Sequence, residues 1–291
     1  MSWFAVALIS ALLSAFAAIT QKKVLYKLGA LEFSYLLSIV NLIFSIPFFF
    51  FIDYETINIL NLSILFAKSI IGVAAFLCVM IALKNLEISN ALPLLALTPG
   101  FVAVFAFLLL GESLKAIEVI GLIFLIAGTF ILESKNLKEF IFPKNVLIKL
   151  KYHRFIIIAL FLFTASSILD KLLLIKLNLS PISLTAFQHI YFAVIFSTVY
   201  LIFKTKEASP VSVQKDNLGW IALISVLTIG YRYTQIVAVS LASVALVLAI
   251  KRTSVFWATV IGGKLFNDKD LLKRSIAAIL ILIGAILILR E

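Results

Sequence analysis

Long apolar runs separated by short polar breaks make up nearly the whole chain. Each run is close to the roughly 20 mainly apolar residues that a helix needs to cross a bilayer. The pattern therefore predicts an all-α integral membrane protein with ten transmembrane helices, near residues 3–21, 31–52, 62–83, 89–110, 116–133, 155–175, 182–203, 217–239, 243–265 and 271–289. The first run has no basic segment before it, so we expect it to be retained as a membrane span.

The longest polar break, residues 134–154, divides the predicted spans into five and five. The two halves share landmarks: at an offset of 156 residues Gly128 falls on Gly284, and at an offset of 149 Lys22 falls on Lys171. Five spans per copy would place the second copy upside down in the membrane, as in many transporters. The alternative is that any two Leu/Ile-rich segments align somewhere.

Two short motifs carry a resemblance to a known family. They are Leu110-Gly111-Glu112-Ser113-Leu114 after the fourth predicted helix, and Ser243-Val244-Ala245 with the run Ile250 to Phe256 in the ninth. With these motifs the chain resembles an EamA-type member of the drug/metabolite transporter superfamily. The second half departs from the usual pattern, because Asn267-Asp268 stands where Gly-Glu or Lys-Glu is more common.

This resemblance implies two inverted five-helix EamA-like repeats, at residues 1–134 and 155–291, around a central cavity. It also implies export or exchange of small metabolites by alternating access. The family motifs do not identify a substrate.

Composition supports a membrane protein and weakens other classes. The chain is 63% hydrophobic and 13% charged, whereas soluble domains average about 25% charged residues. The net charge of +11 is spread over the polar breaks, which favours contact with lipid headgroups over nucleic-acid binding. Cys78 is the single cysteine, so it has no disulfide partner within the chain.

The sequence contains no recognisable enzyme site. It has no phosphate-binding glycine loop, and two His with one Cys are too few for a metal site without carboxylates. We therefore predict no catalytic residues, no cofactor and no metal.

Three cations lie deep in predicted spans, where a charge costs about 2.5–3.5 kcal/mol on insertion scales. They are Arg232, Lys251 and Arg252. With Tyr231 and Gln235 they form a predicted electropositive substrate site near mid-depth in the second half. The alternative is that Arg232 is neutralised structurally by Asp170 or by backbone carbonyls. Because Lys251 and Arg252 are adjacent, they point about 100° apart, and we expect only one of them to face the cavity squarely.

Other polar residues in the spans complete the candidate set. Gln188 and Tyr191 share a helical face and are predicted to bind substrate. His189 and Asp170 are candidates for coupling transport to an ion; the alternative for His189 is a packed, hydrogen-bonding side chain rather than a proton carrier. In the first half the deep polar residues are uncharged: Asn41, Asn90 and Thr98, with Pro93 and Pro99 kinking the fourth helix.

These observations favour a multi-pass secondary transporter in the cell membrane, acting on a small polar or anionic solute. The partners predicted are that solute and the lipid bilayer, with no nucleic acid, and a homo-oligomer is compatible with the sequence. The alternatives are a flippase subunit for a lipid or lipid-linked sugar, and a non-transporting membrane scaffold.

Charge distribution also predicts an orientation. With loops assigned to alternate sides, one side has 17 Lys and Arg and the side shared by both termini has five, Lys68 among them. The positive-inside rule then places both termini outside the cytoplasm, whereas the resembled superfamily usually keeps them inside.

Overall fold

The architecture is all-helical throughout the part of the chain that the computed structural model describes, namely residues 2–85, 95, 97–133, 153–203, 215–254 and 271–289. Ten α-helices lie in these ranges: α1 (Trp3–Leu25), α2 (Ala30–Ser45), α3 (Ile59–Asn85), α4 (Thr98–Leu110), α5 (Ala116–Glu133), α6 (His153–Lys171), α7 (Pro181–Phe203), α8 (Lys215–Leu241), α9 (Val244–Arg252) and α10 (Leu271–Leu289). A 3-10 segment continues α2 to Phe51, and a π turn continues α6 to Lys176. The predicted fold class is confirmed.

Several of these helices are long and apolar enough to cross a membrane. Among the described residues there are six such segments: Trp3–Leu25, Ala30–Phe51, Ile59–Asn85, Arg154–Lys176, Pro181–Phe203 and Leu218–Leu241. Shorter apolar helices lie at Thr98–Leu110, Ala116–Ile131 and Ile279–Ile288. Asn90 and Pro93, and the ninth predicted span beyond residue 254, lie outside the described residues.

Local sequence explains where α4 begins and ends. Pro99 lies in its first turn, where the missing N–H costs nothing and the fixed φ suits a helix. Most of the predicted fourth span before Pro99 lies outside the described residues, so the kink at Pro99 stays a prediction. Gly111 ends α4 with φ of 71°, a left-handed conformation that only glycine adopts without strain.

Packing between helices follows an exchange between the two halves. From the first half, α1 packs on α8 of the second half, and α3 packs on α6. If α1 corresponds to α6 and α3 to α8, each of these two contacts is the counterpart of the other. Likewise α4 packs on α6, and α9 packs on α1. This is the pattern expected of two related five-helix units that face each other.

The contact between α5 and α10 shows the same relation at atomic distance. A Cβ built on Gly121 would lie 2.8 Å from the carbonyl oxygen of Gly284, and one built on Gly128 would lie 2.9 Å from that of Ala277. The residue numbers fall on one helix as they rise on the other, so the two helices are antiparallel. Small residues let these backbones touch, as is common between membrane helices.

Helix directions can also be read from aromatic contacts between α2 and α7. Tyr35 near the start of α2 stacks on Tyr200 near the end of α7, with ring centroids 4.5 Å apart. Phe49, just after α2, contacts Phe187 early in α7 at 5.9 Å. The second helix of each half therefore runs opposite to its counterpart.

Two apolar cores leave a polar layer between them. One core contains Val6 of α1, Leu65 of α3 and Ile236 of α8. The other contains Val24, Val79 and Ile221 of the same three helices, near their opposite ends. The middle turns of α1, α3 and α8 lie between the cores, and they carry the polar side chains described next.

Candidate functional site

A central cavity of about 200 Å³ lies in the polar layer. Both halves line it, with hydroxyl and amide side chains from α1 and α2 facing charged and aromatic ones from α3, α7, α8 and α9. The lining residues are Ser14, Ser34, Leu37, Ser38, Asn41, Lys68, Gly72, Phe76, Thr98, Phe163, Ser166, Ser167, Gln188, His189, Phe192, Phe196, Thr228, Tyr231, Arg232, Gln235, Leu248, Lys251, Arg252 and Ser254.

A buried ion network joins four helices on one side of the cavity. Asp170 Oδ1 lies 2.8 Å from Lys68 Nζ, and its Oδ2 accepts a hydrogen bond from Arg232 at 2.6 Å. Gln188 Oε1 accepts from the same two cations, at 2.5 Å and 3.1 Å. Removing Asp170 would leave two buried cations together without a counter-charge, so we expect the network to depend on this carboxylate.

Lys251 is bound by neutral groups. Its ammonium donates a hydrogen bond to Gln235 Oε1 and lies 4.6 Å from the centre of the Tyr231 ring. The ring face attracts a cation, but neither group cancels its charge. An anion entering the cavity would therefore gain a full charge interaction with Lys251.

Arg252 also lines the cavity, and its guanidinium donates a hydrogen bond to Thr98 Oγ1 of α4 at 3.1 Å. Both Lys251 and Arg252 therefore line the cavity, although adjacent positions on a helix do not both face it squarely. Both reach it because long side chains can bend away from the direction in which their helix presents them. Among the described side chains at this site, four cations accompany the single carboxylate of Asp170.

Three buried side chains in the cavity wall have polar atoms without a hydrogen-bond partner among the described residues. These atoms are both ring nitrogens of His189, Oδ1 of Asn41 and Oγ1 of Thr228. A buried polar atom left unpaired costs about 1–3 kcal/mol. Water or a bound solute in the cavity would satisfy them.

Most of the predicted site residues meet at this cavity. Arg232, Lys251, Arg252, Tyr231, Gln235, Gln188 and His189 line it, and Asp170 holds two of its cations. Tyr191 does not line it; its ring packs against Phe66 at 5.3 Å. The reason is that the cavity-facing residues of α7 are 188, 189, 192 and 196, and position 191 is turned about 60° from 188 and about 100° or more from the other three.

Lys68 is the functional candidate that the sequence analysis missed. The charge count placed it at a span end, on the side of the two termini, but its side chain is fully buried in α3. The available signal was its position inside the predicted span 62–83. Moving Lys68 into the buried group leaves four cations on the side of the termini, which strengthens the predicted charge asymmetry.

The family motif at Glu112 has a structural explanation away from the cavity. Its carboxylate accepts hydrogen bonds from Ser243 Oγ and from the backbone N–H of Val244, at 3.0 and 3.2 Å. These groups begin α9, where a negative charge suits the positive end of the helix dipole. Lys171 pairs with the same carboxylate at 3.2 Å, so Glu112 joins the ends of α4, α6 and α9.

Comparison with known proteins agrees with this architecture. Residues 1–134 match the model of the EamA-like transporter family. The chain is also similar to a protein of known crystal structure, with 15% sequence identity and a TM-score of 0.77, over 98% of this chain and 95% of that one. At this identity the likeness shows the fold alone. No match was found among curated proteins.

Proposed function

We propose that this protein is a multi-pass membrane transporter that moves small polar or anionic metabolites through the central cavity. The match of residues 1–134 to the model of the EamA-like transporter family supports the proposal. The observation that carries the proposal is the group of buried cations around that cavity. Lys68, Arg232 and Lys251 are costly to bury, and among the described side chains bonded to them Asp170 is the one carboxylate. An anionic group on the solute would supply a further partner.

In the proposed binding step, the pair Lys68 and Arg232 has a different role from Lys251. Lys68 and Arg232 are already held by Asp170 and Gln188, so they provide a fixed positive surface. Lys251 bonds to neutral groups, so its ammonium can exchange the Gln235 amide for a carboxylate, sulfonate or phosphate oxygen. Charge-assisted hydrogen bonds of this kind are roughly twice as strong as neutral ones.

Alternating access is proposed as the mechanism of movement. The packing of α1 on α8 and of α3 on α6 is related by exchange of the halves. Rocking of one unit against the other would therefore exchange two similar sets of contacts, and the cavity would open at one end and then at the other. We also propose inverted repeats at residues 1–134 and 155–291, supported by the opposite directions of α2 and α7.

Transport in liposomes tests the proposal. Purified protein would be reconstituted and offered labelled organic anions and amino acids, with and without a proton gradient. For the substrate found, we expect Arg232→Ala and Lys251→Ala to lower the rate about 100-fold, because losing a buried charge partner costs several kcal/mol. Arg252→Ala should have a smaller effect, since Arg252 bonds to Thr98 at the edge of another helix.

Lys27→Ala is the matched control, because Lys27 is an exposed lysine near the end of α1. It should transport at the parental rate. Size-exclusion chromatography would confirm that every variant is folded and monodisperse. If folded Arg232→Ala and Lys251→Ala both transported the substrate at the parental rate, these cations would be structural and the proposed site would be wrong.

A further inference from the structure

The cavity changes from charged to aromatic along two neighbouring helices. On α3 the residues facing it are Lys68, Gly72 and Phe76, spaced four apart. On α7 Gln188, Phe192 and Phe196 face it at the same spacing, together with His189. Residues at this spacing lie on one face of a helix, about 6 Å apart along its axis. Each face therefore begins with a polar residue and ends with an aromatic ring.

The two faces meet residue by residue. Lys68 Nζ donates to Gln188 Oε1 at 2.5 Å, and the rings of Phe76 and Phe196 contact edge to face at 6.1 Å. Between these contacts, the Phe192 ring lies against Gly72, where a built Cβ would be 2.9 Å from ring atom Cζ. The position of the Phe192 ring therefore depends on the missing side chain at residue 72.

Phe192 also contacts Phe196, with centroids 6.2 Å apart and planes at 74°. The rings of Phe76, Phe192 and Phe196 thus form one aromatic wall, defined by these three residues, next to the cations. Edge-to-face contacts of this kind fix ring orientation. Phe76 and Phe192 are half-buried and offer an apolar surface to the cavity, while Phe196 is buried against both rings and holds them in place.

Resting on the proposed function, we infer that the cavity selects organic anions carrying a compact apolar group, and that Gly72 sets this specificity by positioning Phe192. The anionic group binds at Lys251, and the apolar group lies on the aromatic wall. The volume of the cavity is sufficient for such a ligand, because an apolar cavity of about 150 Å³ accommodates benzene. The cavity of about 200 Å³ leaves room for a ring and a small anionic group.

Matched pairs of anions test this inference. Acetate and benzoate, and methanesulfonate and benzenesulfonate, share a head group and differ in a methyl or phenyl substituent. Binding to the purified full chain would be measured by isothermal titration calorimetry. The parental protein should bind the phenyl member of a pair at least about tenfold more tightly, because the ring is removed from water.

Gly72→Ala should lower that phenyl preference about tenfold while changing the affinity for the methyl member less than about twofold. The matched control is Gly219→Ala on α8, where a built Cβ has no atom within 4 Å, and it should leave both affinities unchanged. Phe192→Leu should also lower the preference. In that background Gly72→Ala should add little, since it acts through the missing ring.

The inference is overturned if the parental protein binds both members of each pair alike, or if Gly72→Ala weakens both equally. Should Gly72→Ala not fold, Phe192→Leu decides: an unchanged phenyl preference overturns the inference. Lys251→Ala separates this result from the proposed function, because it should weaken both members equally. If no anion bound, or if Lys251→Ala bound anions normally, the proposed function itself would be wrong.

Discussion

The two halves of the molecule share a packing scheme but present different chemistry to the cavity. At an offset of 149 residues, Gln21 of α1 falls on Asp170 of α6. At an offset of 156, Phe76 of α3 falls on Arg232 of α8, and Leu95 falls on Lys251 of α9. At these three pairs of positions the second half has a charge and the first half has a neutral or apolar side chain.

This difference separates two requirements of a transporter. Movement that exchanges two conformations benefits from similar contacts in both halves, and those contacts occur outside the cavity, as between α5 and α10. Recognition of an asymmetric solute benefits from unlike walls, and these occur inside it. Lys68 is the exception, because it adds a cation from the first half.

The largest expected effect comes from changing Asp170, the charged residue of the pair Gln21 and Asp170. Asp170→Asn would leave Lys68 and Arg232 buried together without a counter-charge, so we expect a loss of about 3–5 kcal/mol in the free energy of unfolding. Thermal or denaturant unfolding in detergent micelles would measure it. Adding Lys68→Met should restore part of the stability, because it removes one of the two opposing cations.

The control for this change is Glu55→Gln, which neutralises an exposed carboxylate and should alter stability by less than about 0.5 kcal/mol. An Asp170→Asn protein as stable as the parental one would mean that the network does not need its carboxylate. The contrast between Gln21 and Asp170 would then have no energetic meaning.

An intermediate effect is expected where the halves match. Gly128→Ala and Gly284→Ala alter equivalent positions, and each added methyl group would lie less than 3 Å from backbone atoms of the facing helix. Each should reduce the free energy of unfolding by about 1–3 kcal/mol, and by similar amounts. Gly219→Ala, with open space, should be neutral or slightly stabilising. Clearly unequal losses for the two glycines would contradict the proposed symmetry at α5 and α10.

The smallest effect concerns the acidic motif. Glu112→Gln should reduce stability by about 1 kcal/mol, because it weakens the start of α9 and removes the ion pair with Lys171. Its sequence counterpart, Asp268, lies outside the described residues. If the halves are alike here, Asp268→Asn should cause a loss of the same size in the same unfolding measurement. If Asp268→Asn had no effect, the stabilisation of a helix start by this acidic position would be confined to Glu112 in the first half.

The sequence alone predicted the positions of the helices better than it predicted the contacts between them. The spans could be predicted because a bilayer demands a long apolar run for each helix, and Arg232 and Lys251 stood out because charge is rare there. The pairing of Lys68 with Gln188 joins residues 120 apart in the chain, and that of Arg252 with Thr98 joins residues 154 apart. Single-sequence patterns report positions along one helix and carry no information about which helices meet.

The same limit applied to Gly72. From the sequence, a glycine within an apolar helix is interpreted as a destabilising residue or as a small packing residue. Only the position of the Phe192 ring shows that the missing side chain at residue 72 leaves room for that ring. Tyr191 shows the opposite error, because its spacing suggested that it shares the face of Gln188, while the cavity-facing positions of α7 leave it turned towards Phe66.

The pairing of α5 with α10 has a consequence for biosynthesis. At about 5–20 residues per second, a ribosome needs roughly 10–30 s to proceed from Gly121 to Gly284. During that interval the glycine face of α5 has no native partner, and α1 and α3 likewise wait for α8 and α6. The nascent first half therefore remains dependent on lipid or an insertion factor until α10 has been synthesised, because α5 gains its native partner only then.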